Sequence, residues 1–132
     1  MVDANVLLAL EIDGPATEAV RKIAKADRDW RLPPLWRAEF GNALVNLTKA
    51  GKMWEPDAEG RLREAVRFFG GGEVEVEEVA VFRRAAALGL TFYDASYLAL
   101  AEKLGVVLVT LDRELIAKGS GRAVDPRNLR HP

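Results

Sequence analysis

Short apolar runs alternate with amphipathic helical stripes through most of this chain, and that alternation constrains its fold more than any other feature. Val106-Val107-Leu108-Val109 is a continuous apolar run of the kind a strand covered on both faces presents. Val74 and Val76 alternate with Glu73, Glu75 and Glu77 as a short strand would, and Arg122-Ala123-Val124 reads as a last edge strand. Between these lie helical stripes. Residues 16–24 follow Gly14-Pro15 and place Ala16, Ala19, Val20, Ile23 and Ala24 on one face. Leu35, Ala38, Ala43, Leu44 and Leu47 form a second stripe after Pro33-Pro34, closed by Gly51. A third, with Ala58, Leu62, Ala65, Val66 and Phe69 inward, follows Pro56 and stops at Gly70-Gly71-Gly72. Helical spacing returns over residues 78–88 and 92–104. Strands alternating with helices predict a three-layer α/β/α fold around a central, mainly parallel sheet. In such sheets ligands bind beyond the carboxyl ends of the strands, where the strand order reverses.

At 132 residues the chain suits one domain, residues 1–132, large enough to bury a core. No apolar run approaches the roughly 20 residues that cross a bilayer, and the start lacks the pattern of a signal peptide, so a cytoplasmic, non-membrane protein is expected. There is no Cys, and the one His, His131, is the penultimate residue. Disulfides, thiolate metal sites and cysteine nucleophiles are therefore excluded, and the chemistry falls to carboxylates and hydroxyls. A net charge of −1 argues against a generic nucleic-acid binder, since that affinity needs a basic surface. It leaves a nuclease open: a divalent cation cancels clustered acid, and Arg37 and Arg113 stand beside two of the acidic phrases.

Those phrases are Val2-Asp3-Ala4-Asn5-Val6-Leu7-Leu8, Glu39-Phe40-Gly41-Asn42-Ala43-Leu44, Phe92-Tyr93-Asp94-Ala95-Ser96-Tyr97-Leu98 and Val109-Thr110-Leu111-Asp112-Arg113-Glu114-Leu115. Each acid taken singly has a structural explanation. Thr91 and Asp94 match a capping box, Glu39 sits where a helix dipole favours negative charge, and Asp3 and Asp112 suit N-caps. Taken together, Asp3, Glu39, Asp94 and Asp112 read as a metal site. Ionised carboxylates about 4 Å apart repel by roughly 4 kcal/mol at an effective dielectric of 20, so such a cluster calls for a cation. All-oxygen ligation suits Mg²⁺ or Mn²⁺, whereas zinc would bring His or Cys. The chemistry expected of such a site is phosphodiester hydrolysis.

In their order and spacing the four phrases resemble the PIN-domain nucleases, most closely the VapC toxins of prokaryotic toxin–antitoxin pairs. The resemblance spans nearly the whole chain and is most specific in the third and fourth phrases. It implies a metal-dependent endoribonuclease acting on RNA, with transfer RNA as the family-based expectation, a cognate VapB-like antitoxin in the groove, and a homodimer. It assigns Asp3, Asp94 and Asp112 as principal ligands, direct or through water. Glu39 either ligates a second ion or orients the attacking water. Asn5 and Thr110, two residues from Asp3 and Asp112, match the family's supporting groups, and Asn42 is placed to fix Glu39 or a phosphate.

Two departures from the family pattern bear on activity. The position after Asp3, commonly a hydroxyl residue in the family, is Ala4, and only Met1 and Val2 precede Asp3. The first strand is thus expected to be very short, with the amino terminus near the acids. The main rival reading is a catalytically weak or inactive PIN-like module that binds RNA or protein. A haloacid-dehalogenase type phosphotransferase ranks last, because the second Asp of its D-x-D phrase is Asn5 here and no Lys phrase follows.

Overall fold

The computed structural model describes residues 1–129, so His131 lies outside the described residues. The chain runs through helices α1 (Ala4–Glu11), α2 (Thr17–Ala26), α3 (Trp36–Lys49), α4 (Glu55–Phe69), α5 (Glu78–Leu88) and α6 (Phe92–Leu104), strand β1 (Leu108–Val109), helix α7 (Arg113–Lys118) and strand β2 (Ala123–Val124). Helices α1 and α7 have no counterpart in the periodic stripes. Residues 4–11 are too uniformly apolar to show a stripe, and α7 is a six-residue helix fastened by its cap.

The pairings assigned in the sheet are parallel. β1 pairs with β2, Val2 bridges Val109, and Leu32 bridges Glu73, all in parallel. The Val2 N–H donates to the Arg31 carbonyl at 3.2 Å, which joins the two halves. The spatial order is therefore residue 73, residue 32, residue 2, β1, β2. Chain order steps one way from Val2 and the other way from β1, so the reversal falls between Val2 and Val109. With helices packed as α1 on α2 and α3, α3 on α4, and α5 on α6, the α/β/α reading holds.

The strands are shorter than the apolar runs suggested. Gly105, at φ +68°, ends α6 in the left-handed region, and the chain enters the sheet only at Leu108, leaving Val106 and Val107 38% and 39% exposed. The expected strand at Val74 and Val76 reduces to a bridge: the Val74 N–H donates to the Leu32 carbonyl at 2.9 Å, and by Glu77 the side chain is already capping α5. The glycines before it end α4, but Gly72 has a second role. A Cβ there would stand 2.0 Å from the Trp30 carbonyl oxygen, so only glycine lets this backbone reach the neighbouring segment.

In α3 the inward face runs through Trp36, Phe40 and Leu44, and Ala38, expected inward, is exposed. The large aromatics set the face because they bury most area. Trp30 stacks on Phe69 with centroids 5.5 Å apart, and Trp36 meets Phe69 edge-on at 6.3 Å. Two of the three tryptophans are thus core, while Trp54 is 70% exposed.

Candidate active site

Because the strand order reverses between Val2 and Val109, the residues that follow them, Asp3 and Thr110, emerge side by side. The Asp3 N–H still belongs to the sheet, donating to the Val109 carbonyl at 2.9 Å. Its carboxylate Oδ2 accepts from the Thr110 hydroxyl at 2.8 Å. The same Thr110 oxygen accepts from the Asp112 N–H at 3.0 Å and from Asn5 Nδ2 at 3.4 Å. Asn5 closes the circuit with Oδ1, which accepts from the Leu111 N–H at 3.1 Å. Asn5 and Thr110 therefore tie the loop after β1 to the start of α1 and hold Asp3 and Asp112 in register.

Asp112 is also the N-cap of α7: Oδ1 accepts from the Glu114 and Leu115 N–H groups at 2.9 and 3.0 Å. Its structural reading is correct, and among the described residues Oδ2 makes no hydrogen bond. Asp94 stands in the first turn of α6, where its N–H donates to the Thr91 hydroxyl at 3.1 Å. Here too the cap is real while the carboxylate faces the site. Glu39 projects from the first turn of α3, and its Oε1 accepts from the Tyr97 hydroxyl at 2.6 Å.

Asp3, Glu39, Asp94 and Asp112 line one cavity of about 220 Å³ together with Asn5. Burial pushes the Asp3 carboxyl up to about 7, opposed by the Thr110 hydrogen bond and reinforced by the charges of Glu39 and Asp94. Burial likewise raises Glu39, against the Tyr97 bond and with help from Asp94. Asp94 is raised by burial and then by Asp112, with Glu114 adding to it. Three acids held above their ordinary range in one cavity are short of positive charge, which suits a site built for a cation. Among the described residues, no three acids stand close enough together to hold a metal ion between them. A hard ion that retains several waters needs no complete protein shell.

Not every expectation places a group here. Among the described residues Asn42 makes no hydrogen bond to Glu39. It lies on the exposed side of α3, lining a neighbouring cavity with Thr91 and Tyr93. Arg37 turns away to pair with Glu73, and Arg113 stays exposed beside Asp112. The Met1 amino group, expected near the acids, is lowered by its own burial, and the charges acting on it are Asp27 and Asp29. Tyr97 was not anticipated. Its position three residues beyond Asp94 on a helix is the signal that would have found it, since that spacing puts both on one face.

Comparison with known proteins agrees with this geometry. The family model for the PIN domain matches residues 1–120. Ribonuclease VapC3 of Pyrobaculum aerophilum is 34% identical over 122 residues, covering 89% of this chain and 92% of that protein. Exonuclease VapC9 of the same organism is 44% identical over 95 residues, covering 69% and 67%. The crystal structure of PAE2754 from Pyrobaculum aerophilum superposes with a TM-score of 0.73 at 36% identity, covering 96% of this chain and 89% of that one. The chain belongs to the PIN-domain family and resembles its VapC-type nucleases.

Proposed function

We propose that this chain is a divalent-metal-dependent ribonuclease, a single-domain VapC-like toxin that hydrolyses RNA phosphodiester bonds in the cytoplasm. The observation that carries this reading is the convergence of Asp3, Glu39, Asp94 and Asp112 on one cavity at the reversal of the sheet. Asp3, Asp94 and Asp112 would hold Mg²⁺ or Mn²⁺, directly or through water, and Asn5 and Thr110 keep two of them aligned. When bound, such an ion neutralises charge on the phosphate and acidifies water. Glu39 has one oxygen held by Tyr97, and the other, Oε2, which makes no hydrogen bond among the described residues, would orient the attacking water and take its proton. The water oxygen bonds to phosphorus as the bond from phosphorus to the leaving sugar oxygen breaks, and that oxygen takes its proton from solvent. An inert binding module is disfavoured because clustered, partly desolvated carboxylates oppose folding and gain nothing without a cation.

Likeness to the VapC relatives supports a VapB-like antitoxin, and a homodimer is part of the same proposal. The apolar groove between α3 and α4, lined by Leu44, Val45, Ala58 and Leu62, offers a partner a surface. One relative is named a ribonuclease and the other an exonuclease, and the test separates those modes for this chain. End-labelled total tRNA is incubated with the purified protein in Mg²⁺, in Mn²⁺ and in chelator, with Asp94→Asn alongside. Discrete internal fragments that need metal and vanish in the variant are the expected result, and a ladder shortening from one end would replace the endonuclease reading with an exonuclease. Equal cleavage by Asp94→Asn would remove Asp94 from the site.

A further inference from the structure

A second cavity of about 420 Å³ opens beside the acidic one and shares Glu39 and Asp94 with it. Its remaining walls are Ala38 and Asn42 from α3, and Thr91 and Tyr93 from the start of α6. Tyr93 is 64% exposed, and its ring stacks on no other aromatic among the described residues. Asn42 is also exposed, with no hydrogen bond from its amide within the described residues. Thr91 uses its oxygen to accept from the Asp94 N–H, which leaves the hydroxyl proton free to donate.

This inventory selects its ligand. No Lys or Arg lines the cavity and two carboxylates border it, so a phosphate is repelled. A free aromatic face, an amide with both donors and an acceptor, and a hydroxyl donor suit a neutral heteroaromatic ring with a hydrogen-bonding edge. Within a paired duplex a base's faces are stacked, so only a splayed, unpaired base can reach Tyr93. Tyr93 and Asp94 are consecutive, with Cα atoms about 3.8 Å apart, so such a base belongs to a nucleotide flanking the phosphate at the acids.

We propose that Tyr93 and Asn42 form a subsite for one unpaired nucleobase next to the scissile phosphate, Tyr93 by stacking and Asn42 by hydrogen bonding to its edge. Base identity at one flanking position is then read here. This deepens the ribonuclease reading and rests on it for the position of the phosphate.

The test pairs protein and substrate deletions. Wild type, Tyr93→Ala, Tyr93→Phe and Asn42→Ala are given a labelled single-stranded RNA of mixed sequence and the same RNA with one abasic nucleotide at successive positions. Binding is followed by anisotropy in Ca²⁺, and cleavage in Mg²⁺ and Mn²⁺. Tyr93→Ala is expected to weaken binding of the intact RNA roughly ten- to a hundred-fold and to erase the penalty for one abasic position. Tyr93→Phe recovers most of that loss because it keeps the ring. Cleavage by wild type with Tyr93→Ala binding and cutting equally well overturns the subsite and leaves the nuclease standing. Equal competition by a duplex of the same sequence also overturns the subsite. Base-dependent binding through Tyr93 without cleavage keeps the subsite and overturns the nuclease, and absence of both overturns both.

Discussion

The two walls of the acidic cavity are built on different principles. On the sheet side, Asp3, Asn5, Thr110 and Asp112 are knitted by hydrogen bonds that span more than a hundred residues of sequence, and Asp3 and Thr110 are buried. On the helix side, Glu39 and Asp94 stand in the first turns of α3 and α6, with exposed Asn42 and Tyr93 beyond them. The sheet wall pays desolvation in order to fix positions. The helix wall leaves Asn42 and Tyr93 facing solvent. A site that must hold an ion in place and also accept a flexible chain needs both kinds of wall.

If the sheet wall is the cation's anchor, the largest effects come from Asp3. Asp3→Asn keeps the shape and an acceptor for Thr110 but removes the charge, and cleavage in Mg²⁺ is expected to fall about a thousandfold. The same variant has a signature in the absence of metal. With the folded-state carboxyl at about 7 and the ordinary value of 3.8, both folded and unfolded chains hold the proton at pH 3. Between pH 4 and 7 only the folded chain does, and above 7 the native state carries an uncompensated buried charge. Stability in chelator should therefore decline across that interval by about 4 kcal/mol from this group. Thermal melts of wild type from pH 4 to 8 should show the decline, Asp3→Asn should lack that part of it, and Mg²⁺ should raise wild-type stability most above pH 7. A wild-type profile that rises steadily over the same range would remove the buried-charge account of the sheet wall.

Thr110→Val asks whether the knitting itself matters. Valine fits the volume but loses the donor to Asp3 and the acceptor for the Asp112 N–H. Metal affinity or activity should drop about 10- to 100-fold, as is usual when a ligand's supporting contact goes. Stability should fall by about 1–3 kcal/mol for the N–H left without its partner. Calorimetric titration with Mn²⁺ and denaturant unfolding measure the two separately. An affinity like wild type's would mean that Asp3 and Asp112 are held by backbone alone.

The same contrast explains what could be read from residues alone. Asp3, Glu39, Asp94 and Asp112, which the fold brings to one cavity, could be singled out because each is local to a phrase, and the helical stripes were visible because their period is local. Helix α1 was hidden by its uniform apolarity, and the brevity of β1 was hidden because apolar runs do not show where a chain leaves its pairing partner. Val106 and Val107 are apolar yet lie outside the ladder for that reason. Asn5 and Thr110 were suggested by position beside the acids, but their mutual bond, 105 residues apart in sequence, exists only in the fold. Tyr97 was missed because a tyrosine on an apolar helix reads as core, which it also is.

Through its hydrogen bond to Glu39, Tyr97 links the buried core to the helix wall, so it gives the mildest and most discriminating test of the contrast. Its ring is fully buried in α6 and its hydroxyl donates to Glu39 across to α3. Burial, with Asp3 and Glu39 nearby, pushes its own ionisation far upward, so it acts as a neutral donor throughout the working range. In Tyr97→Phe the ring stays packed and one hydrogen bond to a carboxylate is lost, a change of about 1.5–3 kcal/mol at most. Because that bond favours the ionised form, its loss should move Glu39 further upward. The alkaline shift should appear in the acid limb of the rate against pH, with kcat reduced about tenfold or less and RNA affinity nearly unchanged. A loss of affinity instead, with the pH limb unmoved, would mean that Glu39 belongs with Tyr93 and Asn42 in receiving the RNA, and that the division between the two walls runs along α6 itself.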